Sequence, residues 1–462
     1  MYYTLKSPSV KKDVRDNYGS GSAIPRIVLK DFKRMPICYP SIGEQRRITS
    51  ICELIDDKIV LNTAINNTEI NFQKLGKYDI IEFMKNNGIT EYFEEVEITK
   101  EYDGYYYSVP EAITIVILGS ICGLKNISQI HQWAESDRVS EFLKEKFAIN
   151  RIPSYYWLLC LLKLIKQDSL NRCFVNWAYS FMPEKAEKLT IALDGKTICS
   201  TTQMDVYENP LHIISAQLSE LGITLAQKTV DGKSNEIPAV QKLLRELNIK
   251  GTIVVADALN CQKETAEIIV NGEADYLLCV KDNHPNLKQD IENYIQDSQL
   301  RSTMESFSMS EKNHGRIETR TAFITTDIDW LPQRDEWKKL CCIAAIHTEF
   351  ETKKGRSSEW HYYISSCPLT PKQLLHHARM EWAVETMHWL LDVHFEEDWC
   401  RIEDRNIQQS LNMFRKFALN LIKLYKSETL SKKALSKIMF DCLLDSSNII
   451  RILHHYFSFK ET

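Results

Sequence analysis

A mixed α/β fold with helices in front of it is what these 462 residues predict. Three observations lead there. Short apolar runs end in aspartate, helical periodicity separates those runs, and one late helical stretch carries several acids. At this length two or three domains are expected.

Composition narrows the class. Hydrophobic content of 44% and charged content of 26% are those of an ordinary globular chain. A net charge of −5 argues against a protein that coats nucleic acid non-specifically, while leaving room for basic residues gathered on one face. The 13 cysteines are scattered and odd in number, with Cys341 and Cys342 merely adjacent, so neither zinc nor a redox pair is signalled. Ala112 to Leu124 is too short to cross a bilayer, and the polar, basic start lacks the apolar core of a signal peptide. No membrane association is expected, and a reducing cytoplasm is the expected location.

Residues 1–77 form the first region. A Gly-Ser-Gly-Ser run at 19–22 marks a loop. After Pro40, Ser41 and Glu44 read as a capping pair, and Ile48, Ile51, Ile55, Ile59 and Ile65 keep a helical spacing. Residues 78–186 read as a small helical domain. Ser108-Val109-Pro110 opens one helix, and Ile127 to Glu145 and Ser154 to Ile165 are two more. In this segment Tyr78 to Ile165 is the candidate for reading DNA.

The third region, residues 187–428, carries strands. Thr190 to Asp194, Leu211 to Leu218 and Ile223 to Val230 make a meander, with Gly222 in a turn. A helix (Ile237 to Leu247), a strand (Thr252 to Asp257), a helix (Lys263 to Val270) and a strand (Tyr276 to Lys281) follow. This succession fits a mixed sheet in which an antiparallel meander feeds parallel additions. An insertion of about residues 282–370 interrupts it, with one helix and strand-like runs such as Arg316 to Thr325 and Leu340 to Phe350. Helices at Pro371 to Asp392 and Gln408 to Tyr425 close the region, and residues 429–462 read as a helical tail.

Asp194 and Asp257 each stand where an apolar strand stops, the place where reactive groups gather in open α/β sheets. Side by side they would repel, and a divalent cation is the usual remedy. Oxygen ligands suit magnesium or manganese. A strand-terminal aspartate also serves as an N-cap or turn former, and spacing alone does not separate the two roles. In the late helix Glu381, Glu385, His388 and Asp392 recur three or four apart, with Trp382, Trp389 and Leu390 expected on the buried side.

Several blocks in order make a resemblance. They are Ala192-Leu-Asp194-Gly-Lys-Thr, Lys233-Ser-Asn-Glu-Ile, Asp257-Ala-Leu-Asn-Cys-Gln-Lys263-Glu, Tyr276-Leu-Leu-Cys-Val-Lys281, His314-Gly-Arg-Ile-Glu-Thr-Arg320, and Glu381-Trp-Ala-Val-Glu385 through Asp398. Together they resemble the H-repeat-associated DDE transposases over about Tyr78 to Tyr425. The resemblance implies a ribonuclease-H-like catalytic core with an inserted mixed subdomain. It implies Asp194, Asp257 and Glu385 as a catalytic triad holding two divalent ions, Mg2+ or Mn2+, for cutting and joining DNA. Lys196, Lys263, Arg316 and Arg320 are the candidates for holding DNA phosphates. Synapsis of two element ends calls for a homo-oligomer. Where the family has Lys-Gly-Asn-Gln, this chain has Lys281-Asp282-Asn283-His284, and where its late helix has His and Asn, this chain has Glu381 and Thr386. Each change brings acid or removes a neutral neighbour near a site that must accept phosphate.

Residues 1–77 resemble instead the distal end of a type I restriction–modification specificity subunit. The blocks are Gly21-Ser-Ala-Ile-Pro25-Arg-Ile, Pro36-Ile-Cys-Tyr-Pro40, Gly43-Glu-Gln45-Arg-Arg-Ile and Asp56-Asp-Lys-Ile-Val-Leu-Asn62. This implies a methylase as the segment's partner. Two other readings stay open on sequence: a decayed transposase or specificity fusion that only binds, and a ribonuclease-H-like nuclease without transposition.

Overall fold

The computed structural model describes residues 88–100, 107–181, 188–199, 201, 210–230, 236–313, 316–352 and 355–457. The specificity-subunit resemblance and its methylase expectation lie outside the described residues.

The chain enters through a helical layer. After the short α1 (Ile89–Tyr92) come α2 (Val109–Ile121), α3 (Ile127–Glu135), α4 (Asp137–Phe147), α5 (Tyr155–Lys163) and α6 (Gln167–Ser180). The Ser108 side chain accepts from the Glu111 amide and Glu111 accepts from the Ser108 amide, so the expected start of α2 is a full capping box. The apolar run that was too short for a membrane is this helix, buried along nearly its whole length. Among the described residues no helix is long and apolar enough to cross a membrane. Gly119 lets α3 approach, since a Cβ there would meet Ile130 at 2.8 Å. The stretch expected as one helix from Ile127 to Glu145 breaks at Ser136, whose extended backbone ends α3 and starts α4.

One sheet of nine strands organises the rest, in the order β3-β2-β1-β4-β5-β9-β8-β7-β6. The strands β1 (Thr190–Thr197), β2 (His212–Leu218) and β3 (Ile223–Thr229) are the antiparallel meander. α7 (Glu236–Glu246), β4 (Ile253–Ala256), α8 (Lys263–Asn271) and β5 (Asp275–Val280) add two parallel strands beside β1. Their near-continuous burial is that of strands covered on both faces.

The insertion differs from expectation. It holds α9 (Pro285–Gln296), α10 (Ser298–Thr303) and the long strands β6 (Glu305–Asn313), β7 (Arg316–Thr325), β8 (Cys342–Thr352) and β9 (Gly355–Ser365). Instead of packing as a separate subdomain, it continues the sheet. β9 pairs antiparallel with β5 through Leu277↔Ser365 to Val280↔Tyr362, supplying the partner that β5 lacks on that side.

α11 (Pro371–Phe395) and α12 (Arg405–Glu428) then pack on the sheet, and α13 (Leu435–Leu444) and α14 (Ser447–Leu453) follow. α12 joins the two layers. Its Phe417 stacks on Trp177 at 4.1 Å and packs against Phe174 and Phe93, so the front helices share a core with the sheet region.

Candidate active site

The register of β1 and β4 builds the centre. Leu193 lies opposite Ala256 in the parallel ladder, so Asp194 and Asp257 stand at the same level on neighbouring strands. Asp257 follows the end of β4, whereas Asp194 lies within β1, which runs on to Thr197 paired with β2 rather than stopping at the aspartate as expected. Neighbouring strands are about 4.8 Å apart. Asp257 both caps and faces the site. Its Oδ1 accepts from the Asn260 amide at 3.2 Å and from Asn260 Nδ2 at 2.9 Å, which closes a short turn over Ala258–Asn260. Among the described residues nothing hydrogen-bonds Oδ2. Burial, with Glu236 and Asp194 nearby, raises the Asp257 pKa against the pull of those hydrogen bonds.

α11 lies along β1, its start fixed by Pro371 and a Thr370–Gln373 capping box. Ties on successive turns set its register. Thr190 Oγ1 meets His377 Nδ1 at 2.8 Å, Ser219 Oγ donates to the Met380 carbonyl, His388 Nδ1 reaches Asp194 Oδ2 at 3.3 Å, and Lys196 pairs with Asp392. Glu381 thereby comes within electrostatic reach of both Asp194 and Asp257. Burial first, then Asp257, Asp194 and Glu385, push its pKa up to about 7, although Lys281 opposes the shift. Glu385 stands one turn further on, on the exposed side of the same acidic stripe. Glu381, a departure from the family pattern, is electrostatically coupled to Asp257, Asp194 and Glu385, but among the described residues no three of these acids bring their oxygens within 4.8 Å of one another.

The tryptophans correct an expectation. Trp382 is 50% and Trp389 60% exposed, while Leu374, Leu375, Val384, Met387, Leu391 and Phe395 fill the buried side. Four residues advance an α-helix by about 40° beyond a full turn, so a face that exposes Glu385 also exposes Trp389. The Arg320 guanidinium lies 5.6 Å from the Trp382 ring.

All the expected phosphate-binding bases are ion-paired. Lys196 is 14% exposed and is held by Asp392, Glu397 at 3.4 Å and Asp398 at 3.7 Å. Its ammonium is thus engaged by three acids of the protein itself. Arg320 is nearly buried, pairing with Glu318 and Glu311. Lys263 pairs with Glu336 and Arg316 with Glu318, each half exposed. The extra acid, Asp282, also departs from expectation. It points outward, 91% exposed, and pairs with Lys288, while Asn283 donates to the Ala258 carbonyl at 2.6 Å and steadies the turn behind Asp257.

Oxygen donors from Asp194, Asp257, Glu381 and Glu385 are the set a hard divalent cation takes. Among the described residues Asp257 Oδ2 accepts no hydrogen bond, and the carboxylates near Glu381 add to the burial that chiefly raises its pKa; both fit such an ion. Among the described residues, His388 Nε2 is buried without a partner at the same place. A different group, Glu220, His376 and His377, brings three donor atoms within 4.8 Å. Its donors are already spent: both Glu220 oxygens accept from the Thr190 amide at 2.9 Å, and His377 Nδ1 is on Thr190 Oγ1. Burial keeps His377 neutral, at about 4, and the cluster ties α11 to the start of β1.

Residues 188–421 match the family described as Transposase DDE domain, and residues 90–178 match one described as DDE_Tnp_1-associated. The "Putative protein YbfL" of Escherichia coli K12 is 31% identical over 74% of this chain and 91% of its own length. The "H repeat-associated putative transposase YhhI" of the same strain is 30% identical over 78% of this chain and 97% of its own. The transposase in a cryo-EM structure of a piggyBac synaptic complex with hairpin DNA aligns over 82% of this chain and 79% of its own. At 10% identity and a TM-score of 0.36 that superposition is too loose to carry detail. With a family match over half its length and relatives spanned almost end to end, the chain belongs to the DDE transposase family.

Proposed function

We propose that the chain cuts DNA at the ends of an insertion sequence and joins the freed ends to new DNA, with Asp194, Asp257 and Glu385 holding magnesium or manganese. The observation that supports this most is that Asp194, within β1, and Asp257, just past the end of the parallel β4, stand at one level with the acids of α11 in electrostatic reach. The strand order β3-β2-β1-β4-β5, antiparallel then parallel, favours a ribonuclease-H-like core over residues 187–428 with the insertion at 282–370. The helical segment 78–186 precedes it and the tail 429–462 follows.

The bound cations supply acidity to the attacking water or 3′-hydroxyl and neutralise charge on the phosphoryl oxygens. The chain's own residues set the geometry. Asp257 presents Oδ2 because Asn260 occupies Oδ1, and His388 restrains Asp194. Lys263 and Arg316, half exposed, are the bases left to meet phosphate. Two ends held together require more than one protomer. For residues 1–77 the reading as a specificity-subunit fragment with a methylase partner rests on sequence resemblance alone.

The test is incubation of the protein with Mg2+ or Mn2+ and DNA carrying the element ends, beside Asp194→Ala, Asp257→Ala and Glu385→Ala. Metal-dependent nicking lost in all three is expected. Folded protein that binds the ends and never cuts them would overturn the catalytic reading in favour of a binding relic.

A further inference from the structure

Three sequence blocks that share no obvious purpose meet at one point. Gly195 and Thr197 come from the first block, Glu236 from the second, and Asp257 with Asn260 from the third. In the structure they form one hydrogen-bonded chain. Thr197 Oγ1 meets His212 Nδ1 at 2.8 Å, and His212 Nε2 meets Glu236 Oε2 at 3.1 Å. Asn260 Nδ2 donates to Glu236 Oε1 at 2.7 Å and to Asp257 Oδ1 at 2.9 Å.

Resting on the reading of Asp257 as a metal ligand, we propose that Glu236 is a positioning residue. Acting through Asn260, it fixes the orientation in which the Asp257 carboxylate faces the cation.

The chemistry of Asn260 carries this. It is fully buried, and its amide nitrogen has two hydrogens, one for each carboxylate. Turned the other way, the amide would set its oxygen against two acids, so its orientation is dictated by its neighbours. Anchored by Glu236, the amide cannot swing away from Asp257, and Asp257 cannot rotate without losing two hydrogen bonds on Oδ1. Metal ligands are commonly oriented by such partners, whose loss typically weakens binding about 10–100-fold.

Gly195 supplies an independent observation. A Cβ at this position would lie 2.5 Å from His212 Nε2 and 2.7 Å from Glu236 Oε2. The residue after Asp194 is thus bare where the His212–Glu236 pair passes beneath it. An alanine there must displace the pair, whose atoms are the nearest to that Cβ.

The experiment is Mn2+ titration of the full chain without DNA, followed by electron paramagnetic resonance of the free ion, with thermal melting as a check on folding. Asp257→Ala is the reference for a lost ligand. Glu236→Ala, Asn260→Ala and Gly195→Ala should each weaken Mn2+ about 10–100-fold while melting as a single folded species. Glu236→Gln should bind close to wild type. Its amide oxygen still accepts from Asn260, and its amide nitrogen can donate to His212 once the imidazole changes tautomer. Wild-type Mn2+ affinity in Glu236→Ala and Asn260→Ala, with loss in Asp257→Ala, overturns the relay and leaves the metal reading standing. Wild-type affinity in Asp257→Ala as well overturns both.

Discussion

His388 Nδ1 lies 3.3 Å from Asp194 Oδ2, and the other ring nitrogen of His388 is buried with no partner. The imidazole bridges the late helix to the central strand at the point where the site forms. Replacement with alanine frees the Asp194 carboxylate to rotate. His388→Ala is expected to cut element-end cleavage about 10–100-fold while leaving binding of the ends in metal-free buffer unchanged. His388→Gln, which can still donate, should recover part of the loss.

Glu381 makes metal-free stability depend on pH. Its folded pKa, about 7, is raised above its ordinary value of 4.5, chiefly by burial, so the native state holds a proton that the unfolded chain releases. That contribution is complete below about pH 4.5 and is lost as pH rises through 7. Glu381→Gln removes the dependence. In denaturant titrations without metal at pH 8 the variant should be more stable than wild type by roughly 1–3 kcal/mol, with no difference at pH 4.

Lys196 holds three acids together, and Glu397 among them is fully buried. Lys196→Met strands those charges. Urea unfolding should show a loss of about 3–5 kcal/mol, the usual cost of breaking a buried pair from one side. A base that served only to meet DNA phosphate would show almost none.

Lys416 behaves in the opposite sense to Glu381. It is buried on α12, donates to Ser215 Oγ and Gln227 Oε1 at 2.8 Å, and burial lowers its pKa to about 7 from 10.5. Between those values the unfolded chain binds the proton and the native state does not. Stability should therefore rise with pH across that interval, by at most about 1.4 kcal/mol per pH unit. Lys416→Met should flatten that slope in thermal melts between pH 7 and 10.

Exposure of the α11 tryptophans has a direct check. Trp382→Ala and Trp389→Ala should each change stability by only about 0.5 kcal/mol, against roughly 3–5 kcal/mol for a tryptophan in a core. Tryptophan fluorescence of the wild type should quench readily with acrylamide.

The sheet core was legible because Ile191 to Leu193, Ile253 to Ala256 and Tyr276 to Val280 are apolar runs with turn or helix signals between strands. Asp257 was legible as the residue that follows a strand, but Asp194 was not, because β1 carries on through the polar Gly195 to Thr197. The insertion read less well. β6 is Glu305-Ser-Phe-Ser-Met-Ser-Glu-Lys-Asn313, too polar to announce a strand, and it forms because β7 offers it a complete ladder. Charge partners were invisible for a similar reason. Nothing local in Lys196-Thr197 says that residues two hundred positions later neutralise it. Glu236 was present in a block of the resemblance, but its link to Asp257 exists only once α7 and β4 lie together.

The seam between β5 and β9 has a consequence for shortened copies of this chain. A reading frame that stops before Gly355 keeps the aspartates and the parallel strands but leaves Leu277 to Val280 without their antiparallel neighbour. Those residues are apolar, and an unfinished ladder of that kind recruits whatever strand it meets. Early termination would thus leave a polypeptide that templates its own clumping. Purging of such products by proteolysis, rather than mere loss of cutting, would be the cellular signature of a damaged copy.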